Sequence, residues 1–471
     1  MSAAARPAGP SRRDILAGLA AIALGAGAAP GRAATGAEST ETILARSGLA
    51  RETGFVVVDL ATGAPLEAHR ADRGFPPASV VKILTALYTL DTLGSGYRFR
   101  TRVIGAGGDL VLMGDGAPGL DTDALGDLAR EVARRASGAR RLFTASGALP
   151  AIEMIDRDQP PLAAYNPAIS GLNLNYNRAF LSWSRGRMSV SAPGERFEAP
   201  VAVPRVVPTD RARPGHGDGP EGEVWRIPRA KLAGRGGLWL PVREPAAYAG
   251  GVFSTLLGGA GLGPPAPAGA APAGTSGPAL AEHLSDPAVD LVRSMLFHST
   301  NLTAETLGLR ASQARGAAAP DLARSAGAME NWARGTLGLE KAVILNHSGL
   351  TEATRIAPAD LAGVLIRAQG PLSDLLRERK LAGAPGEAGF DPGRARLLCK
   401  TGTLDFVSAL AGYLTTAGRR LAFVIFAADP AARARIPADQ RDNPPGAKPW
   451  AKRARGQEQA LLRRWVEVYG G

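Results

Sequence analysis

Ser79 and Lys82 stand three residues apart in the stretch PPASVVKILTAL, Pro76 to Leu87. The chain holds 48 arginines and only 7 lysines, so positive charge is ordinarily supplied by arginine, and a lysine inside a structured segment marks a need for the amine itself. Arginine keeps its proton in a protein, whereas a buried lysine beside another cation gives its proton up. Lys82 can therefore act as a base. Helical i, i+3 spacing puts the amine and the Ser79 hydroxyl on one face, the arrangement of an activated nucleophile. Two prolines place the helix N-terminus just before Ser79, where exposed N–H groups and the macrodipole favour negative charge on an attacking oxygen or an oxyanion. The competing reading makes Ser79 a helix-start cap and Lys82 a snorkelling surface residue.

Two further groupings bear on that choice. Lys400-Thr401-Gly402-Thr403 lies in an apolar strand pattern. Glycine at 402 removes side-chain bulk so that a ligand backbone can lie against the strand, and Lys400 with the two threonine hydroxyls can bind a carboxylate. Ser299-Thr300-Asn301 falls at a break between two helical patterns, where a hydroxyl and an amide can both point into a cleft. Taken alone, Ser299 or Thr300 would cap a helix starting near Leu302. Together the three groupings, S-x-x-K, S-x-N and K-T-G in that order, constrain one another.

The elements that must position them can be read around each. Gly54 to Asp72 has a β-branched run, a Thr-Gly turn and a second run, a hairpin. Pro76 and Pro77 stop the strand, and Val80, Ile83, Leu84, Leu87 and Leu90 give a buried helix from Ala78 to Leu93. After about Tyr97 come strand-like pieces split by Gly, Pro and Arg, with one amphipathic helix in DTDALGDLAREVARRASG. Gly258 to Ala279 reads as a low-complexity loop or linker. The chain then returns to helix, polar break, helix, and ends in strand patterns and the helix KRARGQEQALLRRWVEVYG. The expected architecture is a discontinuous α/β core built from residues 35–96 and 280–471, with residues 97–279 inserted as one or two mostly β domains.

Composition bounds the class. A chain of 471 residues, 45% hydrophobic, can support two or three cored domains. The formal net charge of +12, three units of it from the first 34 residues (Arg6, Arg12, Arg13 and Arg32 against Asp14), suits an anionic partner. No basic block interleaved with aromatics occurs, so nucleic acid is not expected. Cys399 is the only cysteine, which excludes an internal disulfide and any CxxC metal or redox site. Arg12-Arg13 precede a weakly apolar Ala/Gly/Leu run and small residues near Ala33 and Ala34, the pattern of a twin-arginine export signal over residues 1–34. The run from Ile15 to Ala29 is short of the ~20 residues a spanning helix needs. The mature protein is expected outside the cytoplasm, in the periplasm or on the cell-envelope exterior, without an integral span.

The three motifs resemble those of the penicillin-binding serine peptidases and β-lactamases, which occur in the same order. About 220 residues separate Ser79 from Ser299 and about 100 separate Ser299 from Lys400, a spacing similar to the D-alanyl-D-alanine carboxypeptidase/endopeptidase family of the penicillin-binding-protein-4 type, which inserts extra domains between the first and second motifs. The blocks ASVVKILTALYTLDTLGSGYRFRTRV, GDLVLMGDGAPGL, YNPAISGLNLNYN, HSTNLTAETLG, NHSGLTEATRIAPADL and KTGTLDFVSALAGYL carry the likeness from about Gly54 to about Pro430. The resemblance implies a transpeptidase-like antiparallel sheet flanked by helices and an acyl-enzyme at Ser79, with Lys82 as base, Ser299 as proton relay and Asn301 holding Lys82 and the substrate amide. It further implies an oxyanion hole from the N–H groups of Ser79 and Thr403, and Lys400, Thr401, Gly402 and Thr403 at the substrate's carboxylate. Peptidoglycan stem peptides are the implied substrate, β-lactams the inhibitors, and no metal or cofactor is required.

Thr300 stands where the family more often has Asp or Asn, His298 where it often has lysine, and His347 where glycine is common. The histidines are expected to support structure rather than perform chemistry. A Ser-His-Asp hydrolase would need a G-x-S-x-G elbow and a zinc hydrolase H-E-x-x-H, and neither occurs. A wall-binding protein with a dead site, or a β-lactamase, are the alternatives on the same fold.

Overall fold

The computed structural model describes residues 37–220, 222–381, 392–437, 440–441 and 443–470; the export signal read at residues 1–34 lies outside them. β1 (Thr53–Asp59) and β2 (Pro65–His69) form the antiparallel hairpin. β1 is buried along its whole length. Successive side chains of a strand point to opposite faces, and the packing divides accordingly: Val56 and Val58 enter one core cluster, Phe55 and Val57 another. That is why the sequence there is a continuous apolar run rather than an alternating one.

β3 (Arg377–Arg379), β4 (Ala395–Leu404), β5 (Val407–Thr416) and β6 (Arg420–Ala428) complete a six-stranded sheet of order β3-β4-β5-β6-β1-β2, antiparallel throughout. The two ends of the chain meet at the ladder between β1 and β6, where Phe55 faces Ile425 and Val57 faces Phe423. One face is covered by α1 (Thr40–Ser47) and the long C-terminal helix α7 (Ala447–Tyr469). Trp465 of α7 is fully buried, its ring 5.8 Å from Phe55 and 6.0 Å from Phe423. Side chains of this size contribute on the order of 2–3 kcal/mol each by burial. The opposite face packs against α2 (Lys82–Leu93), α3 (Ala288–His298), α4 (Asn301–Ala314), α5 (Leu322–Leu337) and α6 (Pro358–Arg367). This is the expected antiparallel sheet flanked by helices.

The insertion carries a five-stranded, a four-stranded and a three-stranded sheet with two helices, Thr122–Arg135 and Pro245–Gly259. Asp121 caps the first, its carboxylate accepting from Ala124 N at 2.7 Å, and Leu125, Leu128, Ala129 and Val132 face the core. Two composition-based readings change here. Ala266–Ala270, inside the expected linker, is a strand parallel to Arg141–Ala145, because an edge strand needs only backbone bonds and shows no side-chain pattern. Ala279–Leu284 pairs antiparallel with Arg100–Ala106, so strand pairing carries the inserted part past residue 279, to Leu284. The partner strand is remote in sequence, and nothing local signals it. A single core cluster runs from Leu87 and Leu90 of α2 through Phe99 to Leu112 and Leu172 of the insertion, which ties the inserted sheet to the helix that follows Ser79.

Candidate active site

The apolar segment after Pro77 does not begin as an α-helix. Ala78–Val81 is a 3-10 turn and the α-helix starts at Lys82. In a 3-10 turn the side chains at i and i+3 eclipse, and here those are Ser79 and Lys82. Lys82 Nζ donates to Ser79 Oγ at 2.9 Å, to Asn301 Oδ1 at 2.8 Å and to the Ser348 carbonyl at 2.6 Å. The amine is fully buried while Ser79 stays half-buried. Burial holds the Lys82 pKa well below the ordinary lysine value, the charge of Lys400 pushes it further down, and Glu305 opposes both. The surface-snorkelling reading of Lys82 is excluded by its burial.

Ser299 ends α3 in the left-handed region (φ 62°), and Ala78 at the head of the Ser79 turn has φ 43°. Such backbone costs a non-glycine residue about 1–2 kcal/mol and gathers at functional sites. The bend leaves the Ser299 hydroxyl to accept from Lys400 Nζ at 2.8 Å. α4 starts at Asn301 rather than Leu302; Thr300 occupies the cap position, yet its hydroxyl makes no capping bond and is buried without a partner among the described residues. Asn301 Nδ2 donates to the Tyr165 carbonyl at 3.0 Å, so the insertion reaches the site.

β4 places the third motif beside the turn. A Cβ added at Gly402 would lie 2.7 Å from Pro77 O, 2.9 Å from Ala78 Cβ and 2.9 Å from Ser79 N. The space that glycine was expected to leave for a ligand is taken by the turn that carries Ser79. Lys400 Nζ also donates to the Thr401 carbonyl at 2.8 Å, and burial, followed by the charge of Arg379, lowers its pKa to about 7. Thr403 is exposed further along the same strand. The structure therefore brings Ser79, Lys82, Ser299, Asn301 and Lys400 into one chain of contacts, with Thr401, Gly402 and Thr403 continuing from it.

Four contributors carried no signal read from the sequence. The carbonyls of Ser348 and Tyr165 are backbone groups and have no residue-type signature. Glu305, fully buried on α4, accepts from His347 N at 3.0 Å and Ser348 N at 2.9 Å, and so fixes the loop that offers the Ser348 carbonyl to Lys82. An acid on the apolar side of a helix was the available clue. Arg379 Nη2 donates to Thr401 Oγ1 at 3.3 Å from the edge strand β3. Of the histidines, His298 is exposed. His347 is buried, with Nε2 2.7 Å from Ser325 Oγ and Nδ1 3.4 Å from Met329 Sδ, and none of its ring contacts is with the serines or lysines above.

A helix-start serine bonded to a buried lysine, set between an antiparallel sheet and a helical layer, defines the class: a penicillin-binding serine peptidase. The chain belongs to the D-Ala-D-Ala carboxypeptidase 3 (S13) family, whose model matches residues 37–179 and 227–443. The unmatched piece between them is the run of strands that builds the three-stranded sheet and most of the four-stranded one. The chain is 28% identical over 452 residues to a D-alanyl-D-alanine carboxypeptidase of Actinomadura sp. (strain R39), covering 79% of this chain and 77% of that protein. Its fold is similar to that of penicillin binding protein 4 from Haemophilus influenzae, with a TM-score of 0.66 at 19% identity over 83% of this chain and 93% of the other. The same protein complexed with a β-lactam aligns with a TM-score of 0.65 at 18% identity. Among the described residues no helix is long and apolar enough to cross a membrane.

Proposed function

We propose that Ser79 is the nucleophile of this serine peptidase and that it cleaves the D-Ala-D-Ala terminus of peptidoglycan stem peptides through an acyl-enzyme. The observation that carries this reading is the 2.9 Å bond between Ser79 Oγ and a Lys82 amine that burial and Lys400 drive toward neutrality. Neutral Lys82 takes the hydroxyl proton as Ser79 attacks the carbonyl of the penultimate D-alanine. The N–H groups of Ser79 and Thr403 hold the oxyanion. Ser299, bonded to Lys400, returns a proton to the leaving amine, Asn301 orients Lys82, and Lys400, Thr401 and Thr403 meet the terminal carboxylate. Water then releases the acyl group. No step calls for a metal or cofactor.

The catalytic part is residues 35–96 with the chain after Leu284, and the inserted part, which supplies the Tyr165 carbonyl, governs whether a free stem peptide or a cross-link is admitted. Export by the twin-arginine route follows from Arg12-Arg13, and places the enzyme where its polymer lies. A β-lactam mimics the D-Ala-D-Ala terminus and acylates Ser79; the Haemophilus influenzae protein of the same fold was solved with one bound. The intact mass of the protein after exposure to a benzylpenicillin-type β-lactam, beside Ser79→Ala, tests the reading. One drug adduct on the wild type and none on the variant is expected. No adduct with the drug left intact would indicate a wall-binding protein with a dead site, and drug consumed without an adduct a β-lactamase.

A further inference from the structure

Lys400 is only part of an anion site. It is 2% exposed, and its amine is engaged by Ser299 Oγ and the Thr401 carbonyl. Burial brings its pKa to about 7, so its charge is neither fully available nor permanent. Arg379 differs on each count. It lies on the exposed edge strand β3, its guanidinium stays charged, and it reaches the hydroxyl of Thr401 at 3.3 Å. Its charge is felt at Lys400, where it is the largest influence after burial.

The edge strand is built to present this cation. Glu378, between the two arginines, turns away to Arg396 at 2.9 Å, so no carboxylate of β3 neutralises Arg379. Arg377 leans on Phe297, 4.1 Å from the ring centroid, two residues before Ser299. The two arginines of β3 thus contact the second motif's helix and the third motif's strand respectively. A guanidinium carries five donors in a planar fork suited to a carboxylate, and Thr401 takes one bond from it.

We propose that Arg379 belongs to the carboxylate site of the cleft: with Thr401 it supplies the permanent positive charge that binds the C-terminal carboxylate of the substrate or the ring carboxylate of a β-lactam. This rests on the acylation reading above. The experiment compares acylation rate constants for a β-lactam with a free carboxylate and for its methyl ester, on the wild type, Arg379→Gln, Arg379→Lys and Ser79→Ala. Losing a charge-assisted bond should slow acylation by the free acid roughly tenfold in Arg379→Gln, leave the ester within about twofold, and be partly reversed in Arg379→Lys. An unchanged acid-to-ester ratio, whether both rates fall or neither does, overturns the assignment while leaving Ser79 as nucleophile. No adduct on the wild type, or an adduct that persists in Ser79→Ala, removes the acylation reading and this assignment with it.

Discussion

The amine of Lys82 sits 2.9 Å from the hydroxyl of Ser79 with no carboxylate bonded to it among the described residues: its other acceptors there are an amide oxygen and a backbone carbonyl. An ion partner would fix the proton on the amine, and neutral acceptors do not. Lys82→Met keeps the length of the side chain and removes the base, so acylation by a β-lactam should slow by about 10²–10⁴-fold, the usual worth of a general base. Its melting temperature should fall only modestly, since removing the desolvated amine offsets the donor lost to the Ser348 carbonyl and the Asn301 amide oxygen. Stopped-flow acylation and thermal melts together check this.

The second lysine gives a pH signature. Lys82 must be neutral to accept a proton, and its depressed pKa moves the rising limb of acylation below the ordinary lysine range. Burial and the charge of Arg379 bring the Lys400 pKa down to about 7; facing it are Lys82 from the turn that carries Ser79, Arg379 from β3 and Cys399 from its own strand. As pH rises through that value Lys400 loses its charge and carboxylate binding weakens, yet Arg379 keeps its charge. For a carboxylate substrate, kcat/KM should fall above pH 7 to a plateau at roughly a tenth of its maximum, the worth of one charged hydrogen bond. In Arg379→Gln the fall should start at higher pH, because the charge that depresses the Lys400 pKa is gone, and should continue without a plateau.

Gly402 is a packing requirement of the turn that carries Ser79. In Gly402→Ala the new methyl would sit 2.7–2.9 Å from the backbone of Pro77 and Ser79 and from the Ala78 side chain, none of which is a flexible side-chain end. Overpacking of this kind costs about 1–3 kcal/mol and displaces Ser79 from Lys82. A lower melting temperature accompanied by at least a tenfold loss in acylation rate is expected; unchanged acylation would show that the turn can yield.

The β1–β2 hairpin, the buried segment after Ser79 and the closing strands were legible because apolar period and turn residues are local properties. The three motifs were legible because side-chain type and spacing carry chemistry. What escaped has no local trace: the strand character of Ala266–Ala270 and Ala279–Leu284 comes from remote partners, and the Ser348 and Tyr165 carbonyls are backbone atoms. Gly402 was marked as a close approach, but which backbone approaches it depends on the packing of β4 against the turn. Arg379 was one arginine among 48 until β3 paired with β4.

His347 predicts how the enzyme responds to acid. Burial holds its pKa at about 3, against 6.5 for a free imidazole. The ring lies nearly parallel to Tyr88, at 7° with centroids 6.5 Å apart, and a Cβ on Gly308 would come within 2.2 Å of it, so no room is left for hydration of a cation. A histidine with a depressed folded pKa binds its proton more readily when unfolded. Its contribution is therefore complete above pH 6.5 and is lost as pH falls toward 3, at about 1.4 kcal/mol per pH unit. At pH 5 that is a loss of about 2 kcal/mol from this residue alone, in addition to whatever the carboxylates contribute. Denaturant melts at pH 7 and pH 5 should show a larger loss in the wild type than in His347→Gln. The ring protons of His347, followed by NMR in the wild type, should not titrate above pH 4. A midpoint near 6.5 would mean that the ring is solvated and that α4 and α5 pack less closely around it.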